Sequence, residues 1–262
     1  MTARTIDITC DLGESFGIYT IGRDEEVMPY ISSANVGCGF HGGDPTVMRK
    51  TVQLAKRHGV AVGAHFGYPD LRGFGRRWIT MDHTDLVNDI LYQMGALQAI
   101  CRVEGVEITH VKPHGALDDM GALDRRLADA IVSAVRLFDD KLPVYTVWNS
   151  QIRHAAEEAG LPTVLQVYVD RGVTEEGVEI AGYQVDKVGG SVDAALARVV
   201  TAVTTGKLAS DGGQLLDWEA DCVCFHGDTG DALTYATRLS GALRDAGFDI
   251  QPAYRRAAAG SS

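Results

Sequence analysis

Four histidines end or follow short apolar runs that have the character of β-strands. They are His41 in SANVGCGFHGGDP, His65 in VAVGAHFGYPD, His114 in THVKPHGAL and His226 in CVCFHGDTG, and Asp11 follows the run IDITC in the same way. Enzymes with alternating strands and helices gather their catalytic groups at the carboxyl ends of the strands. The repeated placement therefore predicts one site for acid–base chemistry rather than several scattered structural histidines.

Charged residues accompany these strand ends. Glu14 stands three residues after Asp11 and can serve with it as a base, a metal ligand or a polar anchor. Lys112 ends the run before His114, and strand alternation puts it on the same face as His110. A lysine that points into a barrel or a sheet end is costly unless an acid or a substrate pairs with it. The other charged residues beside strand ends are Asp170, Arg171 and Asp228.

Three arginines, Arg72, Arg76 and Arg77, lie in the glycine- and aromatic-rich loop that follows His65. The guanidinium group is a planar fork that binds a carboxylate or a phosphate through paired hydrogen bonds. Because the loop begins at a strand-end histidine, we expect it to hold an anionic part of a substrate.

The chain lacks the full pattern of either common nucleotide-binding motif. Residues 37–42 fit the G-x-G-x-x-G pattern, but a dinucleotide site also needs an acid at the end of the next strand, which here ends Gly63-Ala64-His65. The glycines are interpreted as a turn that lets backbone N–H groups face a small ligand. No Walker P-loop is present, because the only Gly-Lys pair, Gly206-Lys207, is followed by leucine.

The composition is that of a globular protein, with 45% hydrophobic and 23% charged residues among 262. The net charge of −11 argues against nucleic-acid binding, since no excess of Lys and Arg is available to neutralise phosphates. The five cysteines include no C-x-x-C pair and are interpreted as buried residues in a reducing compartment. With no apolar run of signal-peptide or membrane-span type, we expect a cytoplasmic protein that uses no membrane.

Strand-like runs alternate with helical patterns along the chain. This order predicts an α/β protein in which about seven βα units build a parallel sheet, open or closed into a barrel. We expect one domain over residues 1–254 and a flexible tail over 255–262. The predicted strands are residues 5–10, 33–37, 60–65, 107–112, 143–147, 163–169 and 221–225. The predicted helices are residues 45–58, 84–104, 124–138, 151–159, 192–205 and 231–246, with a long loop or hairpin over 170–190.

Six stretches, in chain order, resemble the LamB/YcsF family: DITCDLGESFG, SANVGCGFHGGDP, VAVGAHFGYPDLRGFGRR, YQMGAL, HVKPHGAL and CFHGDTGDA. They span nearly the whole chain. The resemblance implies a distorted seven-stranded parallel (β/α) barrel of the glycoside hydrolase/deacetylase type. It also implies ATP-dependent hydrolysis of a small lactam, 5-oxo-L-proline, to L-glutamate. The ATP would be used through a complex with 5-oxoprolinase subunits B and C.

Under this hypothesis the polar residues divide into two groups. The expected catalytic residues are Asp11 and Glu14 as the base that orients water, His41 and His65 as proton relays, and Lys112 and His114 as stabilisers of negative charge. The expected substrate-binding residues are Arg72, Arg76, Arg77, Asp170, Arg171, His226 and Asp228.

Other functions stay open at the level of sequence. A divalent-metal-dependent hydrolase or deacetylase, acting on another lactam or cyclic amide, would take its ligands from Asp11, His41, His65 and His114. A non-catalytic subunit would only bind a small acid. The exact lactam is open because Asp118 and Asp119 stand where the family usually has Tyr-Asn, and further departures occur at residues 166–169 and 177–190. A homo-oligomer is compatible with the sequence.

Overall fold

The computed structural model describes residues 4–180 and 190–255 and contains a closed barrel of parallel strands with helices packed outside it. The barrel strands are β1 (Arg4–Leu12), β2 (Ser33–Gly37), β3 (Ala61–Phe66), β4 (Ile108–Pro113), β5 (Val144–Val147), β6 (Thr163–Tyr168) and β11 (Cys222–His226). Each strand from β1 to β6 pairs with the next, and β11 closes the ring by pairing with both β6 and β1. The seven-stranded barrel expected from the resemblance is therefore confirmed.

Five short strands complete the set within the described residues. Two antiparallel hairpins pair β7 (Gly172–Val173) with β8 (Glu179–Ile180) and β9 (Lys207–Ala209) with β10 (Leu215–Asp217). The fifth, β12 (Phe248–Ile250), pairs with the start of β1. The loop or hairpin predicted over 170–190 is a hairpin as far as residue 180. Residues 181–189 lie outside the described residues, as do residues 256–262 of the tail that was predicted to be flexible.

All six predicted helices form, with bounds within one residue of the prediction. Asp44 caps α2 by accepting hydrogen bonds from the backbone N–H groups of Thr46 and Val47, and Gly59 ends it at a φ of 68°. Two helices were not predicted, α1 and α4; the latter starts after Gly115 without a side-chain cap. The helices are α1 (Asp24–Val27), α2 (Pro45–His58), α3 (His83–Glu104), α4 (Ala116–Leu123), α5 (Arg125–Phe138), α6 (Gln151–Glu158), α7 (Val192–Thr205) and α8 (Ala232–Asp245).

None of the helices in the described part of the chain combines the length and the apolar character that crossing a membrane would require.

Strand register brings the polar strand ends to one end of the barrel. Asp11 is still part of β1, not of the turn after it as expected, because it pairs in register with Asn35 on β2 and with His226 on β11. On β3 and β4, His65 lies level with Lys112. Since these side chains point into the barrel from different strands, residues far apart in the chain meet there.

The barrel interior below this end is also polar. His110 donates through Nε2 to Oδ1 of Asn35 at 2.8 Å, and its ring stacks on Tyr145 with the centroids 4.3 Å apart. Burial lowers the pKa of His110 to about 3, so the ring is neutral. A Cβ atom at Gly63 would collide with this ring. Glycine at this strand position is therefore what leaves space for His110.

We expect Gly63→Ala to lower the free energy of unfolding by about 1–3 kcal/mol, because the added methyl group overpacks the interior and displaces His110. Gly95→Ala is the matched control: Gly95 is exposed on α3 with open space around it, so the same change should stabilise the helix by about 0.5–1 kcal/mol. Chemical denaturation of the two variants measures both values. Equal effects would contradict this account of the barrel interior.

Candidate active site

A buried ion pair between Asp11 and Lys112 lies at the carboxyl end of the barrel strands. Nζ of Lys112 donates to Oδ1 and Oδ2 of Asp11 at 3.0 and 2.9 Å, and Asn35 donates to Oδ1 at 2.8 Å. Burial opposes the charge on each partner, but the opposite charge prevails. The pKa of Asp11 is therefore held well below its usual range by His65 and Lys112, and the pKa of Lys112 is raised by Asp11. Both groups are ionised at neutral pH.

Glu14 enters the same region from the loop after β1. Its Oε1 lies 3.0 Å from Nε2 of His41 and 3.3 Å from Nδ1 of His114. Burial raises the pKa of Glu14 well above its usual range, and the charges of Asp11 and Asp228 raise it further. The two carboxylates therefore differ: Asp11 has a lysine partner, whereas Glu14 is approached by imidazoles.

The imidazoles of His65 and His114 are oriented by backbone carbonyl groups. Nδ1 of His65 donates to the carbonyl oxygen of Lys112 at 2.9 Å, and Nε2 of His114 donates to that of Phe74 at 2.7 Å. The second nitrogens of the two rings, Nε2 of His65 and Nδ1 of His114, face each other at 2.9 Å. Burial lowers the pKa of each ring, so each is neutral in its oriented tautomer.

His41 stacks on His114 with ring centroids 3.6 Å apart and planes 4° from parallel. Gly75 makes this stack sterically feasible, because a Cβ there would lie 2.6 Å from Cβ of His41 and 2.7 Å from Cδ2 of His114. Glu14, His41, His65 and His114 are together called the donor cluster. One ligand atom from each lies within 4.8 Å of the others, so the cluster could hold a metal ion.

Asp170 and His226 form a second pair beside Asp11. Nδ1 of His226 donates to the Asp170 carboxylate at 3.0–3.1 Å, and its backbone N–H donates to the same group at 3.2 Å. Burial opposes ionisation of Asp170, but His226 and Arg171 outweigh it and lower its pKa. Nε2 of His226 lies 3.6 Å from Oδ2 of Asp11. The nitrogen that is not bound to Asp170 therefore faces the centre of the site.

A pocket opens over these groups at the barrel end, with a free volume of about 480 Å³. Tyr168 forms one wall: its ring stacks on His226 and lies 5.4 Å from Nζ of Lys112, and its hydroxyl donates to Asp118 at 3.2 Å. The pocket is lined by Arg76, Trp78, Lys112, His114, Gly115, Asp118, Asp119, Tyr168, Arg171 and His226. Cationic groups and a histidine thus surround the space in which a small anion would sit.

The arginines of the loop after β3 do not share one environment. Arg76 lines the pocket and donates to Oδ2 of Asp228 at 2.7 Å. Arg77 pairs with Asp70 within its own loop, and Arg72 lies exposed on a single turn of 3₁₀-helix away from the pocket. The structure thus brings one of the three, together with Arg171 from the end of β6, to the pocket wall.

Sequence reasoning missed several residues that build the site. Asn35 links Asp11 to His110, and Tyr168 forms the wall beside Lys112. Asn35 did carry a signal, since it stands inside a strand-like run two residues before Gly37 and shares its inward face. Trp78 was expected to pack in the interior, but it is 70% exposed at the pocket mouth. Its sequence context of charged neighbours did not distinguish these two outcomes.

Known proteins match nearly the whole chain. The model of the LamB/YcsF family matches residues 6–258. A Staphylococcus aureus (strain Newman) protein, named as the A-type subunit of 5-oxoprolinase, is 45% identical over 246 residues, which are 94% of this chain and 98% of that protein. The crystal structure of a lactam utilization protein from Thermus thermophilus superimposes with a TM-score of 0.87 at 38% identity, covering 94% of this chain and 99% of that one.

Lys112→Met should lower the free energy of unfolding by about 3–5 kcal/mol, because it leaves the Asp11 carboxylate buried without its cation. Adding Asp11→Asn should recover much of that loss, since the uncompensated charge is then gone. Chemical denaturation measures both.

The control for this pair is Lys207→Met, which breaks the exposed pair with Asp217 and should cost less than about 1 kcal/mol. A loss in Lys112→Met no larger than in Lys207→Met would show that the buried pair does not stabilise this barrel end.

Proposed function

The chain belongs to the LamB/YcsF family, and from that premise we propose that it hydrolyses the cyclic amide of 5-oxo-L-proline to give L-glutamate. We propose that the reaction consumes ATP and that the chain acts in a complex with 5-oxoprolinase subunits B and C. The name of the Staphylococcus relative supports the substrate and the role within a complex, because the two chains match over nearly their full lengths. We also propose a cytoplasmic location, where ATP is available.

One observation carries the proposal at the level of chemistry: a single pocket is lined by Lys112, His226, Arg76 and Arg171. A lactam acid presents a carbonyl oxygen that gains negative charge during attack and a carboxylate that keeps its charge. The lysine ammonium is suited to the first and a guanidinium to the second. The pocket therefore offers complementary charges for both ends of such a substrate.

His226 is the residue we propose as the general base. Asp170 accepts the hydrogen on Nδ1, which leaves Nε2 as a lone pair directed toward the pocket. This is the arrangement by which a carboxylate orients a catalytic imidazole. Asp11, the base expected from the sequence, instead has both oxygens engaged by Lys112. Its proposed role is to keep Lys112 charged and directed at the substrate oxygen.

The need for ATP follows from the stability of the substrate. A five-membered lactam is a nearly unstrained amide, and phosphorylation of its oxygen makes the carbonyl carbon easier to attack. Water then adds to that carbon as His226 takes a proton, and the ring C–N bond breaks as the nitrogen gains one. The resulting acyl phosphate reacts with a second water to give the carboxylate and phosphate. Because the sequence carries no Walker motif, the partner subunits are proposed to bind ATP.

The direct test is glutamate release from 5-oxo-L-proline by the purified chain with subunits B and C and ATP. Omitting any one component should abolish release. No release with every component present and folded would refute the proposal, and binding of 5-oxo-L-proline without turnover would support a non-catalytic, small-acid-binding role instead. A panel of other lactams tests the substrate, since Asp118 and Asp119 line the pocket where the family usually has other residues.

A second candidate function, a divalent-metal-dependent hydrolase of another lactam or cyclic amide, is favoured by the donor cluster next to the pocket. It would turn over its substrate without ATP or partner subunits, lose activity on chelation and regain it on addition of metal. Activity that needs ATP and resists chelation would exclude it.

His226→Gln should reduce the turnover number of the complex by about 10²- to 10⁴-fold, because the base that accepts the proton from water is lost. Asp170→Asn should lower it in the same direction by removing the group that orients the ring. His154→Gln is the control, since His154 lies exposed on α6 and does not line the pocket, and it should leave turnover unchanged. A His226→Gln complex with turnover within tenfold of the original would rule out this role.

A further inference from the structure

Two buried ring nitrogens that both lack hydrogen face each other in the donor cluster. Nε2 of His65 and Nδ1 of His114 are 2.9 Å apart. The carbonyl oxygens of Lys112 and Phe74 can only accept, so the hydrogen of each neutral ring must sit on the opposite nitrogen, at Nδ1 of His65 and Nε2 of His114. Two lone pairs at this distance repel each other. The arrangement is favourable only when a positively charged species lies between them.

Carboxylate oxygens add to the negative potential at this point. Oε1 of Glu14 lies 3.3 Å from Nδ1 of His114, and Oδ2 of Asp11 lies 3.2 Å from Nε2 of His65. The charge of Asp11 is already matched by Lys112. Within residues 4–180 and 190–255, the ion-pair partners found within 4.0 Å of Glu14 are all histidines. Glu14 is therefore the carboxylate whose charge a bound cation would balance.

The orientation of the rings distinguishes ligands from supporting groups. A metal ion bound to imidazole lies close to the plane of the ring. His65 and His114 are 79° apart, so one ion can lie in both planes. His41 and His114 are stacked 3.6 Å apart with planes 4° from parallel, so one ion cannot lie in both of theirs. His41 instead contacts Oε1 of Glu14 at 3.0 Å, as a residue that orients a ligand does.

We infer that Glu14, His65 and His114 bind one divalent transition-metal ion, with Zn²⁺ as the best match to their two nitrogens and one oxygen. Ligands about 2.0–2.1 Å from a tetrahedral zinc lie roughly 3.3 Å apart, close to the 2.9 and 3.3 Å separations here. His114 also lines the pocket, so a fourth position can face substrate or water. The ligand set expected from the sequence changes in two ways: Glu14 replaces Asp11, and His41 becomes an orienting residue.

This site goes beyond the proposed function, because none of the steps proposed for lactam opening uses it. It can be tested by binding alone. Chelator-treated chain is titrated with Zn²⁺ against a chromophoric chelator, and one Zn²⁺ per chain is expected to bind. Glu14→Gln and His114→Gln each remove a ligand and should weaken binding by more than about 100-fold. His41→Gln should weaken it by about 10- to 100-fold, the range for loss of a residue that orients a ligand.

Co²⁺ provides a second readout, because its visible absorption reports the ligand set. The spectrum of His41→Gln should keep the band positions of the original chain, and that of His114→Gln should not. His58→Gln, at the exposed end of α2, is the control and should bind like the original chain. Circular dichroism confirms that each variant is folded.

Three results would overturn the inference. The first is a folded original chain that binds no Zn²⁺, which would mean that a shared proton lies between the two rings. The second is a folded His114→Gln variant that binds as tightly as the original chain. The third is a His41→Gln variant that loses as much affinity and spectral character as His114→Gln. These readouts do not need turnover, so they stand or fall separately from the proposed function.

Discussion

The ion pair between Lys112 and Asp11 is the constraint around which this end of the barrel is built. Both side chains are 2% exposed, and removing two ions from water costs several kcal/mol for each unless their remaining hydrogen-bonding capacity is satisfied. Asn35 supplies a further donor to Asp11, and its own amide oxygen takes a hydrogen from His110. The polar interior below the site is therefore a consequence of burying this one pair.

Backbone groups impose a second constraint, on where the hydrogens of the imidazoles sit. The Lys112 carbonyl oxygen orients His65 while the side chain of the same residue holds Asp11, so one residue organises both the charge and the neighbouring tautomer. The Phe74 carbonyl oxygen does the same for His114 from the loop after β3. Gly75, next in the chain, leaves the space for His41 to stack. A histidine's chemistry here is decided by a loop that carries no catalytic side chain at that point.

Asp11 joins the two halves of the site. Its Oδ2 lies 3.2 Å from Nε2 of His65 in the donor cluster and 3.6 Å from Nε2 of His226 at the pocket. A cation in the donor cluster would reduce the negative potential felt by His226 and by a substrate oxygen near Lys112. The proposed reaction and the proposed metal site are thus electrostatically connected, although each rests on its own observations.

The sequence determined the elements and most of the residues that meet at this end. Helix caps such as Asp44, glycine stops such as Gly59 and continuous apolar strands are local signals, so six helices and seven barrel strands were predicted with nearly correct bounds. Short strands such as β9 and β12, and helix α4 with no side-chain cap, lacked such signals and were missed.

Only the tertiary structure decided what each polar residue contacts. Arg76 and Arg77 are adjacent in the chain, yet one lines the pocket and the other pairs with Asp70. Asp11 and Glu14 look equivalent in sequence, yet one is bound by lysine and the other by imidazoles. The physical reason is that hydrogen bonds and ring orientations act over about 3 Å between separate strands and loops. Barrel register and loop path set those distances, and neither is encoded in the spacing of residues along one segment.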